Sequence, residues 1–345
     1  MKSNPEISII IPSYNAAPYI NRCLESIVDS EADKERYEII AVDDSSTDNT
    51  LDLLKSFAEK TPQMKVYTRH KAGPGGARNL GLNYAKGRYV MFVDIDDHID
   101  SKNFAHLINK LIPLYNQDIL GFDYLKCDEN GNVSPYNDKL FPYCREMSGA
   151  EYMNMQAPES VLWGYLFRRK FLIEQEIKFR EKNIHCHEEF IARAFCLAQS
   201  VEFIPTLIYY FHDSIKGSLT NKPDEEHQKR FVMHWLTVIE ELQKFGFMLG
   251  DPLSEVGLER KLDYTSASLV KRLIMHEYDD GFVSDTLKKL ELLGLFPLRR
   301  ENEYGMRYGI LSKVMNSENR VFWWKRNIYS PLVSSAAAYM FRETP

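Results

Sequence analysis

Three carboxylates fall within four positions, Asp94, Asp96 and Asp97, directly after the apolar run Val90-Met91-Phe92-Val93. Carboxylates held this close repel one another and are costly to desolvate unless a positive charge sits among them. An all-oxygen donor set suits a hard divalent cation, Mg²⁺ or Mn²⁺, of the kind that neutralises a diphosphate. A strand running into an acidic helix N-terminus would leave the same pattern, because Asp is also favoured at helix caps. A second acidic pair, Asp43-Asp44, ends the run Glu38-Ile39-Ile40-Ala41-Val42, and a third, Glu188-Glu189, follows His185-Cys186-His187. The His-Cys-His run lacks partner ligands at a zinc spacing, so it is not read as a metal site.

Those acids need elements to hold them. Ile7 to Ile11 reads as a buried strand stopped by Pro12. Residues 18–31 carry helical spacing through Ile20, Leu24 and Ile27. Residues 38–42 are a second strand, and Ser46 or Asp48 caps the helix that carries Leu51, Leu54 and Phe57. Met64 to Tyr67 is a weaker third strand. Gly73-Pro74-Gly75-Gly76 is a turn opening a helix over 77–86 that Gly87 ends. Further strands follow at 89–93, 118–124 and 201–211, and Asp100 caps a helix. This alternation predicts an α/β fold, a mostly parallel sheet with helices on both faces. Ligands of such sheets bind beyond the C-terminal strand ends. Pro12-Ser13-Tyr14-Asn15, Asp43-Asp44 and Asp94 to Asp97 all fall there.

Residues 125–160 read as irregular, and from Pro223 the pattern turns helical, with Phe231, Trp235, Ile239 and Leu242 in register. A boundary is expected near 221–224. A chain of 345 residues accommodates two domains. The net charge of −6 argues against a general nucleic-acid binder. Five scattered cysteines without a CxxC pair suit a reducing compartment. The polar N-terminus reads as neither signal peptide nor membrane span, and a cytoplasmic location is expected. From residue 286 on, ten basic residues face five acids, a local excess of +5 beside Trp323-Trp324. That segment suits either an anionic lipid surface or packing on the rest of the chain. No GxGxxG, P-loop or G-x-S-x-G motif is present.

The strings IIIPSYNAAPYINRCLESI at 9–27, EIIAVDDSSTDNT at 38–50, GPGGARNLGLNYAKGRYVMFVDIDD at 73–97 and HEEF at 187–190 resemble the family 2 glycosyltransferases of GT-A fold. The resemblance is close over roughly 7–104 and looser to about 220. It implies a Rossmann-like GT-A catalytic domain over 1–222, with a nucleotide-sugar half to about 125 and an acceptor half over 126–222. A helical region, 223–345, follows it. The activity implied is inverting transfer from a UDP-sugar to a hydroxyl of a glycan or lipid-linked glycan, in cell-surface polysaccharide synthesis. It also implies roles for particular residues. Pro12, Tyr14 and Asn15 would lie at the nucleotide, with Tyr14 offering an aromatic face to the base. Asp44 would accept a hydrogen bond from uracil, with Asp43 beside it. Arg78 and Asn79, at a helix start, would approach the nucleotide-sugar. Asp94 and Ile95 would lie at the ribose or sugar. Asp96, with Asp97 as the contender, would reach a Mn²⁺ or Mg²⁺ ion on the diphosphate. Glu189, where the family commonly has Asp, would be the base, and Glu188 would orient it. Trp163 would stack on an acceptor sugar or belong to the core, and His212 would approach the diphosphate or end a strand. Ser45 stands where the family usually has Gly. Two other readings are a non-catalytic nucleotide-sugar-binding subunit and a nucleotidyltransferase; the latter usually carries a glycine-rich basic signature, absent from residues 7–20.

Overall fold

The computed structural model describes residues 4–128, 130–136, 142–157, 160–212, 224–299 and 305–328. Most of the expected boundary at 221–224, and the tail beyond Ile328, lie outside them. The chain divides into two compact units, one formed by Met1–Gly149 with Glu159–Ser218, the other by Ala150–Pro158 with Leu219–Pro345.

The first unit is built on one sheet. Its strands are β1 (Ile7–Ser13), β2 (Tyr37–Asp43), β3 (Met64–Thr68), β4 (Tyr89–Phe92), β5 (His98–Ile99), β6 (Ile119–Cys127), β7 (Val133–Pro135), β8 (Tyr165–Arg168) and β9 (Val201–His212). Their order is β3-β2-β1-β4-β8-β6-β9-β5, with β7 paired to β6. Ile9, Ile10 and Ile11 are all fully buried, so both faces of β1 are covered, and its continuous apolar run follows from that. The helices are α1 (Ile20–Val28), α2 (Thr50–Glu59), α3 (Gly73–Tyr84), α4 (Ser101–His106), α6 (Arg169–Glu174) and α7 (Cys186–Leu197). Helix α5 (Gly149–Met155) lies between α4 and α6 in the chain.

Strands β1 to β4 are mutually parallel, as the alternation predicts. The regular alternation breaks at β8, which runs antiparallel to both β4 and β6. Two reversals restore direction, and β6 and β9 pair in parallel. Six strands therefore point one way and β5, β7 and β8 the other. The glycine-rich segment at 73–76 is the first turn of α3 rather than a turn before it, with Pro74 at a position whose missing N–H costs nothing. Helix α3 ends at Tyr84, not at Gly87. Gly87 is required for close approach instead, since a Cβ there would sit 2.4 Å from the Ser8 nitrogen. Asp100 caps α4 as expected, accepting from Asn103 N at 2.8 Å. At α2 the cap-like bond comes from Asp48, whose Oδ1 accepts from Thr50 N at 3.0 Å, while Ser46 is used elsewhere.

The second unit is helical: α8 (Glu225–Gly246), α9 (Pro252–Met275), α10 (Asp280–Leu292), α11 (Gly305–Val314) and α12 (Glu318–Ile328). Asp224, Asp251 and Asp279 cap α8, α9 and α10 by accepting from the N3 amide of each helix. In α8, Phe231, Ile239 and Leu242 are buried. Part of the basic character of α12 is neutralised locally. Lys325 donates to Tyr278 O and pairs with Asp280, and Arg326 lies 3.6 Å from the same acid. Trp323 stays 57% exposed. Among the described residues no helix is long and apolar enough to cross a membrane. All five cysteines are free thiols.

Candidate active site

The C-terminal ends of β1, β2, β4 and β9 share one rim of the first unit's sheet, because those four strands run the same way. Helix α7 leads back into β9, so its N-terminus returns to this rim. Helix α3 leaves β3 there too. Arg78 Nη1, 3.8 Å from Cys186 Sγ, shows the two helix starts in contact. Gly75 permits it: a Cβ on Gly75 would lie 2.4 Å from Arg180 O and 3.2 Å from Cys186.

The acidic loop after β4 separates its three carboxylates. Asp94 Oδ1 accepts from Arg78 Nη2 at 2.7 Å, in a pair whose arginine is buried. Burial works against the Arg78 cation, but Asp94 and Cys186 outweigh it and raise its pKa. Asp97 is buried with both oxygens engaged. Oδ2 accepts from the Tyr209 hydroxyl at 2.6 Å and Oδ1 from His212 N at 2.7 Å. Asp97, the contender for the metal, is thus held by β9 through both oxygens. Burial and then the neighbouring Asp96 and Asp94 push its carboxyl well above the usual range. Asp96 makes no ion pair among the described residues. Its main-chain carbonyl accepts from Arg22, while its carboxyl is pushed up to about 6, first by burial and then by Asp94. Ile95 is buried between them.

At the ends of β1 and β2, Pro12 is half-buried, and Tyr14 is 51% exposed, with its ring open to a ligand. Asn15 is a loop lock. Its Oδ1 accepts from Thr47 N at 2.7 Å, and its own amide donates to Ser46 Oγ at 3.0 Å. Asp44 accepts from Ala72 N and Gly73 N, both at 2.7 Å, tying β2 to the start of α3. Asp43 Oδ2 accepts from Ser46 N at 3.1 Å, as a loop-orienting acid should. Among the described residues, its buried Oδ1 and the buried hydroxyl of its register partner Ser13 have no hydrogen-bond partner. Such groups mark a place where a polar ligand or water completes the bonding. Ser45 has φ +66°, the left-handed region where glycine is at ease, and this accounts for the usual family glycine. Here its hydroxyl donates to Arg69 O at 2.9 Å.

Asn79 is fully committed to the protein. Its side-chain amide donates to Phe179 O and accepts from Phe179 N, both at 2.8 Å. These bonds tie α3 to Phe179. Trp163 lies as the core alternative describes. It is 5% exposed and stacks on Tyr209 at 4.8 Å and Phe211 at 5.4 Å, so its ring is enclosed by protein rather than offered to a sugar. Glu188 and Glu189 lie in the first turn of α7, where the helix dipole favours negative charge. The Ser160 hydroxyl donates to Glu188. Glu189 is buried, with Oε1 3.3 Å from Arg193 Nε one turn on. Arg193 also donates to Lys178 O. His212 ends β9 with its ring 2.8 Å from that of His98.

Sequence reasoning missed Arg22, Arg193 and Tyr209. Arg193 was findable as the i+4 partner of Glu189 on a helix. Tyr209 and Arg22 meet the acidic loop only through the fold.

This fold is shared with solved structures. Staphylococcus aureus TarS residues 1–349, in complex with UDP-GlcNAc, has a TM-score of 0.63 at 21% identity, covering 97% of this chain and 92% of that one. The first unit is thus an α/β domain of GT-A type. A family model described as Glycosyl transferase family 2 matches residues 8–174. The poly(ribitol-phosphate) beta-glucosyltransferase of Bacillus spizizenii is 46% identical over 106 residues, 30% of this chain and 17% of that protein. The poly(ribitol-phosphate) beta-N-acetylglucosaminyltransferase TarS of S. aureus is 37% identical over 215 residues, 61% of this chain and 36% of that protein. The chain spans less than two thirds of both of these relatives.

Proposed function

We propose that this chain is an inverting glycosyltransferase that moves a sugar from a UDP-sugar to a hydroxyl of a glycan or lipid-linked glycan, in the cytoplasm, for cell-surface polysaccharide. One observation carries the reading. Asp96, Asp43, Tyr14 and Glu189 come from distant segments to one rim, and among the described residues Asp96 makes no ion pair. Residues 8–174 match the family model, and the relatives' names point to sugar transfer onto poly(ribitol-phosphate).

The acceptor hydroxyl attacks the anomeric carbon from the face opposite UDP. The new C–O bond forms, the bond to UDP breaks and Glu189 takes the hydroxyl proton. One displacement inverts the configuration through an oxocarbenium-like transition state. Tyr14 stacks on the base, and the Asp43–Asp44 end of β2 receives the uracil edge. Arg78 holds Asp94 in place beneath the sugar. The donor set fits a divalent cation: Mg²⁺ and Mn²⁺ on a diphosphate take one or two carboxylates and need no full protein cage. Asp96, assisted by Asp94, would hold it, and the ion would supply charge to stabilise the leaving UDP. The wild-type chain with Mn²⁺ and acceptor should release UDP from one member of a UDP-sugar panel. No release from any of them, with or without acceptor, counts against transfer.

The ion pair between Glu189 and Arg193 favours a second reading, a non-catalytic nucleotide-sugar-binding subunit. Binding of a UDP-sugar without any turnover would select it. For α12, exposed Trp323 supports contact with anionic lipid, in which case pelleting with anionic vesicles should fall as salt rises. Absence of pelleting at low salt leaves α12 as a packing helix.

A further inference from the structure

We infer that Tyr209 is a positioning residue that sets the Asp94–Asp97 loop for its cation, and that Trp163 holds Tyr209 in register. The inference rests on the donor-site reading above.

One hydroxyl bridges both ends of the tetrapeptide. It donates to Asp97 Oδ2 at 2.6 Å and accepts from Asp94 N at 3.1 Å. His212 N, three residues further along β9, holds the other oxygen of Asp97 at 2.7 Å. The last turn of this strand therefore grips the loop at three points. Asp96, half-buried between the gripped residues, makes no ion pair among the described residues. Tyr209 itself is fully buried and has little freedom. Its ring lies flat on Trp163, with 4.8 Å between centroids and 4° between planes. Trp163 is wedged in turn against Tyr124 and Tyr136, edge-on at 4.7 and 5.3 Å. An aromatic cluster of the acceptor half thus reaches the acids of the donor half through one side chain. A cation site must hold its carboxylate to within a fraction of an ångström, and partners outside the ligand shell commonly do this. The grip explains why a buried tyrosine hydroxyl is placed at the end of β9, where a phenylalanine would pack as well.

Tyr209→Phe keeps the ring and its stack while removing the bridge. Calorimetry should show Mn²⁺-dependent UDP affinity falling by about tenfold, the loss expected when buried groups lose a shared partner. UDP affinity without metal should change by less than about twofold, since no contact to the base is touched. Trp163→Phe should raise the Mn²⁺ concentration for half-saturation by a smaller factor, and it serves if Tyr209→Phe does not fold. A lowered melting temperature with wild-type Mn²⁺-dependent affinity in the folded variants would overturn the inference, leaving Tyr209 as packing. Wild-type protein that binds no UDP with Mn²⁺ would overturn the donor-site reading and this inference with it. In the double variant, Asp97→Asn should add little to Tyr209→Phe; a large further loss would make Asp97 a direct ligand instead.

Discussion

On the β1–β4 side of the sheet, each acid sits within a few residues of the strand that carries it. Asp43 and Asp44 close β2, and Asp94 and Asp96 follow β4. On the β6–β9 side, the residues that matter act across the fold: Tyr209 and His212 lie more than a hundred positions from the loop they grip. The first side supplies functional groups, and the second fixes where they point. A strand end delivers an acid by local sequence alone, but an isolated acid cluster has no reason to leave one carboxylate out of ion pairs and tie two down. That selection comes from Arg78, Tyr209 and the His212 amide. Glu189 combines both modes, since its helix start is local while its placement depends on Arg193 and the Lys178 carbonyl behind it.

The comparison breaks hardest at Glu189. Glu189→Gln should keep UDP-sugar affinity and lose transfer by on the order of 10²-fold or more, because the amide is nearly isosteric but takes no proton. Glu188→Gln should cost less, since that side chain is held by Ser160. Collapse in Glu188→Gln alone would move the base to the neighbour.

A smaller effect sharpens the donor side. Burial and Asp94 push the Asp96 carboxyl up to about 6, above the ordinary aspartate range, so the fold favours the protonated form. The associated stabilisation is fully present below about pH 4 and is lost as pH rises through about 6. Asp96→Asn should therefore stabilise the metal-free protein by about 1–3 kcal/mol at pH 7.5 and hardly at all at pH 4, by denaturant titration. Equal gains at both pH values would remove the titration as the cause.

The smallest effect is at Ser45. Ser45→Gly should shift stability by less than about 1 kcal/mol, relief of the left-handed backbone offsetting the lost bond to Arg69 O. A larger loss would show that the hydroxyl holds the loop.

Legibility in the sequence followed the same division. The apolar runs of β1, β2 and β4 and the acids after them were readable because period and punctuation are local signals. So was the cap at Asp100. The antiparallel insertion of β8 was not, since nothing in Tyr165-Leu166-Phe167-Arg168 states which neighbours it will join. Asn79 and Asn15 looked like ligand contacts because an amide at a rim serves a ligand or a loop equally well. Their bonds to Phe179 and Thr47 come from the fold and have no local signal. Trp163 became a core residue through Tyr209 and Phe211, again from a distant strand.

The central claim is that this rim binds a uridine diphosphate through a cation held by Asp96. Calorimetry of UDP, ADP and GDP with Mn²⁺ tests it most directly, on the wild-type chain and on Asp96→Ala. The expected result is that UDP binds more tightly than ADP or GDP, and that its Mn²⁺-dependent affinity is lost in the variant. Equal binding of all three nucleotides, or unchanged UDP affinity in Asp96→Ala, would contradict it.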